Sequence, residues 1–185
     1  MNLLIVGAGG HGRCCLDIAR DMNVFDEIAF LDDNNVNEVS NDCNVIGSID
    51  EMSSYYPEYT NIFIAVGNNK FRSKLMLQAQ EIGYALPVLK HSTSVVSKYA
   101  SIGNGSVVFP NTVIEANAKI GKGSIVSSGA IIGDYCHVNA GAIIPSMICV
   151  PEHTKVDYGQ VYLKRDDEAW KEEYKKQFGK EVSYF

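Results

Sequence analysis

The chain lacks most of the features that mark specialised compartments and ligands. Its five cysteines, Cys14, Cys15, Cys43, Cys136 and Cys149, form no CxxC pair. An odd, scattered set fits free thiols in a reducing compartment rather than a disulfide framework. Basic charge is scarce: 16 Lys and Arg stand against 22 Asp and Glu, a net charge of −6, which argues against the basic face of a general nucleic-acid binder. No apolar run is long enough to cross a bilayer. Met1-Asn2-Leu3-Leu4-Ile5-Val6 lacks the charged region and cleavage site of a secretory signal. These absences predict a cytoplasmic protein with neither nucleic acid nor membrane as partner, and no metal is expected. With 46% hydrophobic and 21% charged residues in 185, the composition is that of an ordinary globular chain holding one large or two small domains.

What is present is a repeat. An aliphatic residue recurs every six positions at Val96, Ile102, Val108, Ile114, Ile120, Val126, Ile132, Val138, Ile144, Val150 and Val156. Four residues after most of them sits a small one: Ala100, Ser106, Thr112, Ala118, Ser124, Ala130, Cys136, Ala142 and Thr154, with Ile148 and Gln160 as exceptions. A helix needs a 3.6-residue period and a two-faced strand a period of two. A period of six fits a β-helix of short strands and tight corners, with one large residue filling each wall and one small residue each corner. A single hexad buries almost nothing, so stability must come from stacked neighbours. Glycines such as Gly105, Gly123 and Gly141 suit corners with unusual dihedrals.

The N-terminal half reads differently. Leu3–Val6 is a buried-strand run that enters Gly7-Ala8-Gly9-Gly10-His11-Gly12, a GxGxxG, followed by a helix over about Arg13–Met22. A helix start of this kind offers free N–H groups to a phosphate. Ile28–Leu31 is a second strand ending in Asp32-Asp33, with Asp32 twenty residues after Gly12, where a dinucleotide fold places its ribose-binding carboxylate. Residues 34–44 read as a polar loop and Ile49–Tyr55 as a short helix introduced by Ser48. Ile62–Val66 reads as a third strand running into Gly67-Asn68-Asn69, then a helix over about Lys70–Ile82 stopped by Gly83. Leu86–Leu89 reads as a fourth strand. The result is half of a doubly wound α/β fold, too little for an NAD-dependent dehydrogenase. Local roles compete with binding: His11 as a helix-start residue, Asp32 and Asp33 as a strand-end turn, Asn68 as a helix cap. Beyond the repeat, acids at Asp166-Asp167-Glu168, bases at Lys175-Lys176 and a Trp170, Tyr174, Phe178 stripe predict a helix that caps the last coil.

Together, the hexads and the glycine-rich half resemble the bacterial sialic-acid O-acetyltransferases and UDP-4-amino-sugar N-acetyltransferases, over about residues 1–162. The resemblance implies a small Rossmann-like domain (1–90), a left-handed parallel β-helix (91–162) and a C-terminal helix or tail (163–185). It implies a homotrimer that uses acetyl-CoA as co-substrate and acetylates a nucleotide-linked amino sugar or a sialic-acid-type sugar in surface glycan synthesis. By position, Gly9, Gly10 and His11 would line phosphate and sugar, Asp32 and Asp33 the base and ribose, and Gly67 and Asn68 the diphosphate. Gly141 and Ala142 would offer amides to pantetheine. His91-Ser92 stands where the family carries His-Pro, which implies a looser start to the repeat.

Acetyl transfer needs a base and donors for the oxyanion. The family places a His between acids after the Ser-Gly-Ala-Ile corner. Here Ser128-Gly129-Ala130-Ile131-Ile132 runs directly into Gly133-Asp134-Tyr135-Cys136-His137, so one hexad, with that His, is missing and everything downstream turns by one face of the prism. His137 matches the family's second histidine and is the candidate catalytic base, with His153 a weaker one and His91 read as structural. The alternative is a degenerate member that binds nucleotide sugar without turning it over.

Overall fold

The computed structural model describes residues 1–163; the expected C-terminal capping helix lies outside them. The first half is built on five strands: β1 (Asn2–Val6), β2 (Glu27–Leu31), β3 (Val39–Ser40), β4 (Cys43–Gly47) and β5 (Asn61–Ile64). They lie in the order β3-β4-β2-β1-β5, parallel except for the β3–β4 pair. Strand β1 lies inside the sheet between β2 and β5, and its Leu3–Val6 run is wholly buried because both faces of the sheet are covered. Helix α1 (Gly10–Met22) and helix α2 (Asn69–Ile82) follow β1 and β5. Ser48 and Glu51 form a reciprocal capping box at the 3₁₀ helix Ile49–Tyr55.

Two predicted elements differ. The polar segment 34–44 runs into a genuine strand: Val45 pairs with Phe30 and Gly47 with Leu31. The predicted fourth strand at 86–89 does not join this sheet. Only an isolated bridge links Ala85 to Asn61, and Leu89–Lys90 is the first rung of the β-helix.

The second half is a triangular parallel β-helix of twelve two-residue strands in three four-stranded walls. The first wall stacks Leu89–Lys90, Val107–Val108, Ile125–Val126 and Ile143–Ile144. The second stacks Val95–Val96, Val113–Ile114, Ile131–Ile132 and Cys149–Val150. The third stacks Ser101–Ile102, Lys119–Ile120, His137–Val138 and Lys155–Val156. Three hexads therefore make one coil. From Val108 to Val156 the hexad aliphatics are at most 3% exposed, each worth about 1.5–3 kcal/mol of burial. The small corner residues also bond between coils: Ser106 Oγ donates to Gly121 O at 2.8 Å, Thr112 Oγ1 to Ser127 O at 3.1 Å and Ser124 Oγ to Asn139 O at 3.2 Å. The Cys136 thiol fills the same place, donating to Pro151 O at 2.9 Å; its burial raises its pKa, so packing accounts for it.

The two halves share a core. Leu89, Val107 and Ile125, which point outward from the first wall, join Leu3, Ile5, Phe30, Leu16 and Ile18 in one buried cluster. Helix α1 is thus held between its own sheet and the β-helix. The α/β unit grips both edges of the first wall. At one edge, Asp21 of α1 accepts from Ser92 N at 2.7 Å and Ser92 Oγ at 2.9 Å. A proline could not supply that N–H, so the departure from His-Pro pins the start of the repeat instead of loosening it. At the other edge, Gly105, Gly123, Gly141 and Gly159 stack one per coil with φ between +64° and +71°. Helix α2 lies against this column: a Cβ on Gly105 or Gly123 would come within 2.7 Å of Met76, and those on Gly141 and Gly159 would touch Ser73 and Asn69.

Candidate functional site

The sheet ends its β1 and β5 strands in two adjacent loops, and α1 and α2 begin there. The first loop is drawn tight by Gly12, whose Cα lies so close to the Gly7 carbonyl that a Cβ would sit 1.8 Å from its oxygen. Gly9 caps α1 without any side-chain bond, and no acid lies in the first turn. Gly9 and Gly10 are exposed and have nothing within 4 Å of a Cβ position. The N–H groups of this helix start are therefore open to an anion.

Asp32 is mostly buried and committed inside the protein. It accepts from Ala8 N at 2.8 Å, Asn34 N at 2.9 Å and Asn35 Nδ2 at 2.9 Å. Burial alone would raise its pKa, but these bonds outweigh burial and hold it below the ordinary carboxylate value. Asp32 thus shapes the glycine-rich loop. Asp33 is exposed and accepts from Ile49 N at 2.8 Å. In the second loop Gly67 is open, whereas Asn68 caps α2 by accepting from Phe71 N at 3.0 Å.

His11 emerges from the first turn of α1 and stacks on Phe109 of the β-helix, with ring centroids 5.8 Å apart and planes 23° from parallel. The Cys15 sulfur lies 3.8 Å from Nε2. Around this pair is a cleft of about 550 Å³, lined from α1 by His11, Cys14 and Asp17, from the first coil by His91, and from the β-helix by Phe109, Ser127, Ser128 and Ser146. Burial, helped by the positive charge of Arg72, lowers the pKa of His11 to about 4, so at neutral pH the imidazole is unprotonated and free to accept a proton. His91 also lines the cleft, although its Nδ1 is engaged with Thr93 Oγ1 at 2.9 Å.

The structure does not bring His137 to this cleft. It is exposed on the third wall, between Lys119 and Lys155 of the neighbouring coils, while the cleft lies where the first wall meets the second. Three hexads make one coil, so six residues shift a side chain by one wall, and His137 falls on the third. His153 is at the corner before the third wall, stacked on Tyr135 at 5.1 Å. Gly141 and Ala142 do not stand open to a ligand either. Their amides already donate to Lys122 O at 2.8 Å and Asn139 O at 3.3 Å, and α2 of the same chain covers Gly141. Neither has an amide free for pantetheine. Among the described residues no group of His, Cys, Asp or Glu could hold a metal ion, and no helix is long and apolar enough to cross a membrane.

Sequence reasoning passed over Phe109, Ser127, Ser146 and Arg72. Phe109 follows the aliphatic Val108 and looks like one more apolar repeat residue. Arg72 looks like one more charged helix residue.

Comparison with known proteins agrees with this two-part construction. Residues 2–79 match the PglD N-terminal domain and residues 111–146 the bacterial transferase hexapeptide (six repeats). The acetyltransferase domain of PglB from Neisseria gonorrhoeae FA1090 is 29% identical, with a TM-score of 0.66 over 88% of this chain and 91% of that one. The same domain in complex with acetyl coenzyme A matches with a TM-score of 0.62 over 88% and 90% of the two chains, again at 29% identity. WeeI from Acinetobacter baumannii AYE shares the fold at 23% identity, with a TM-score of 0.69 over 89% of this chain and 82% of that one. A mutant of GDP-perosamine N-acetyl transferase from Caulobacter crescentus, in complex with CoA and GDP-perosamine, shares it at 22% identity, with a TM-score of 0.67 over 89% of each. A PglD-type N-terminal domain leading into a column of transferase hexapeptides is the construction that this chain shares with these acetyltransferases.

Proposed function

We propose that the chain is an acetyl-CoA-dependent N-acetyltransferase acting on a nucleotide-linked amino sugar, with His11 as the imidazole that receives the amine's proton. The observation that carries this reading is the cleft itself. It sets the unprotonated imidazole of His11 against a β-helix wall, and His11 itself belongs to the uncapped first turn of α1 that suits a diphosphate. Acetyl-CoA or CoA in the structures of the PglB domain and the perosamine enzyme, and GDP-perosamine in the latter, support the ligand classes. In the reaction the amine nitrogen attacks the thioester carbonyl. The proton it sheds passes to His11, and collapse of the tetrahedral intermediate forms the amide and releases the CoA thiolate, which takes up that proton. Attack makes the amine nitrogen far more acidic than it was in the free amine, and an imidazole that is neutral at the working pH is in the form that can take its proton. Gly9, Gly10 and Gly67 would receive the diphosphate, with Asp33 beside the ribose.

The same reading includes a homotrimer. The second wall presents Val95, Val113, Ile131 and Cys149 outward as one apolar column, with Val95 64% and Ile131 39% exposed. At its corner with the first wall, next to the cleft, Met147 is 81% exposed. A second copy seated there would cover this column and close the open side of the cleft. His137 would reach a reacting amine only across such a boundary.

The test is release of CoA thiol with a panel of UDP- and GDP-linked amino sugars, using the wild type, His11→Asn and His137→Ala. Loss of at least a hundredfold in kcat for H11N with little change for H137A is the expected result. The opposite pattern moves the chemistry to the third wall. A wild type that binds CoA and nucleotide sugar without turnover leaves the degenerate, binding-only reading in place.

A further inference from the structure

Arg72 is fully buried, 1% exposed, and is the largest such side chain among the described residues. Its Nη1 donates to Val66 O at 2.7 Å and Gly67 O at 3.3 Å. Its Nε donates to Gly123 O at 2.9 Å, and Nη2 to Gly141 O and Asn69 Oδ1, both at 2.9 Å. Every partner is an uncharged oxygen, and among the described residues no carboxylate pairs with it. A buried cation without a counter-ion is costly, and that cost lowers its pKa to about 10. Mere filling of the space between α2 and the glycine column would not need a charge.

The geometry supplies a use for it. One end of the guanidinium holds the loop Val66–Gly67 at the sheet edge, and the other holds two successive coils of the β-helix. These are the two bodies that form opposite sides of the cleft. We propose that Arg72 is a positioning residue for the transfer reaction, fixing the substrate loops of the α/β unit against the β-helix wall and presenting its uncompensated charge to His11 and to the bound diphosphate. This rests on the function proposed above.

The charged and titratable groups around His11 are few. Helix α1 supplies Cys14, Cys15 and Asp17, the first coil His91, and α2 Arg72; the β-helix side offers only Phe109, Pro110, Ile125 and serines. Among the described residues Arg72 is the cation whose charge acts on that imidazole. A lysine retains the charge but cannot reproduce the planar fork, so charge and bridging can be separated.

The experiment compares Arg72→Lys with the neutral Arg72→Met and Arg72→Gln. It reads the His11 ring titration by NMR, the melting temperature, and kcat/KM for the amino sugar. R72K is expected to leave the titration of His11 within about half a unit of wild type while lowering kcat/KM tenfold or more. The neutral variants are expected to raise the titration by about one unit, burial still holding it below the free value. A purely structural residue would change the melting temperature and leave the ring titration unmoved in every folded variant. The proposal is overturned by wild-type turnover in R72K, or by an unchanged His11 titration in whichever neutral variant folds. If the wild type itself shows no turnover, the proposed function fails, and the titration still decides what Arg72 does.

Discussion

The glycine-rich loop separates two kinds of glycine, and alanine at each should have opposite consequences. At Gly12 the added carbon would meet Gly7 O at 1.8 Å and Gly7 C at 2.8 Å. Both are backbone atoms, so no rotamer change relieves the clash. Reaching the ~3.5 Å at which non-bonded heavy atoms normally sit requires roughly 1.5 Å of displacement. The moving part would be α1, which is packed between the sheet and Leu89, Val107 and Ile125, so displacement on either side opens a shared core. Overpacking usually costs about 1–3 kcal/mol, and this rigid case belongs at or above the top, near 3 kcal/mol. At about 2–4 °C per kcal/mol for a chain of this size, Gly12→Ala should melt about 6–12 °C below wild type. Gly10 begins α1 with nothing within 4 Å of a Cβ position and no positive φ. Gly10→Ala should therefore be neutral or up to about 1 kcal/mol more stable, since alanine favours the helix. It should nevertheless weaken binding of UDP or GDP, because the methyl group stands where the diphosphate approaches. Thermal unfolding with and without nucleoside diphosphate tests both. A melting point for G12A within 2 °C of wild type, or G10A as unstable as G12A, would refute the argument from close backbone approach.

The walls and the loop yield three further variants with distinct outcomes. Ile132→Ala removes an aliphatic that is fully buried in the column and should cost about 2–5 kcal/mol in urea unfolding. Ile131→Ala, one residue away and facing outward, should leave the protomer's stability nearly unchanged and weaken self-association seen by sedimentation. Asp32→Asn should cost about 1–3 kcal/mol at neutral pH through its bonds to Ala8 and Asn34. Because the folded-state pKa of Asp32 is lowered, the gap between wild type and D32N should be full above the ordinary carboxylate pKa of about 3.9 and close as pH falls through the lower folded value. A gap that widens in acid would contradict the assignment.

The β-helix was legible because each coil repeats one simple demand, an aliphatic per wall, and Val108 to Val156 meet it without interruption. What periodicity could not show is which neighbour each outward face meets. Gly141 reads as an open corner until α2 is seen lying on it. Leu89 reads as the end of an α/β sheet, although its phase, one hexad before Val95, already belongs to the column. Cys43–Gly47 was hidden by the polar residues before it, being only five residues long. His11 stands out in the loop motif, but its partner Phe109 lies far along the chain and only the fold brings them together. Arg72 left no signal in sequence, because its five acceptors are main-chain carbonyls and one amide, spread from Val66 to Gly141.

The glycine column also bears on how the molecule comes apart. A stacked solenoid ordinarily opens from its free ends, rung after rung, since each coil leans only on the next. Helix α2 lies like a splint along four consecutive coils, touching Gly105, Gly123, Gly141 and Gly159. A rung under the splint cannot peel away while α2 stays seated, and α2 cannot lift without abandoning its place on the sheet. Solenoid and α/β unit are thereby bound into one cooperative block, and the gradual fraying that the repeat alone would permit is suppressed.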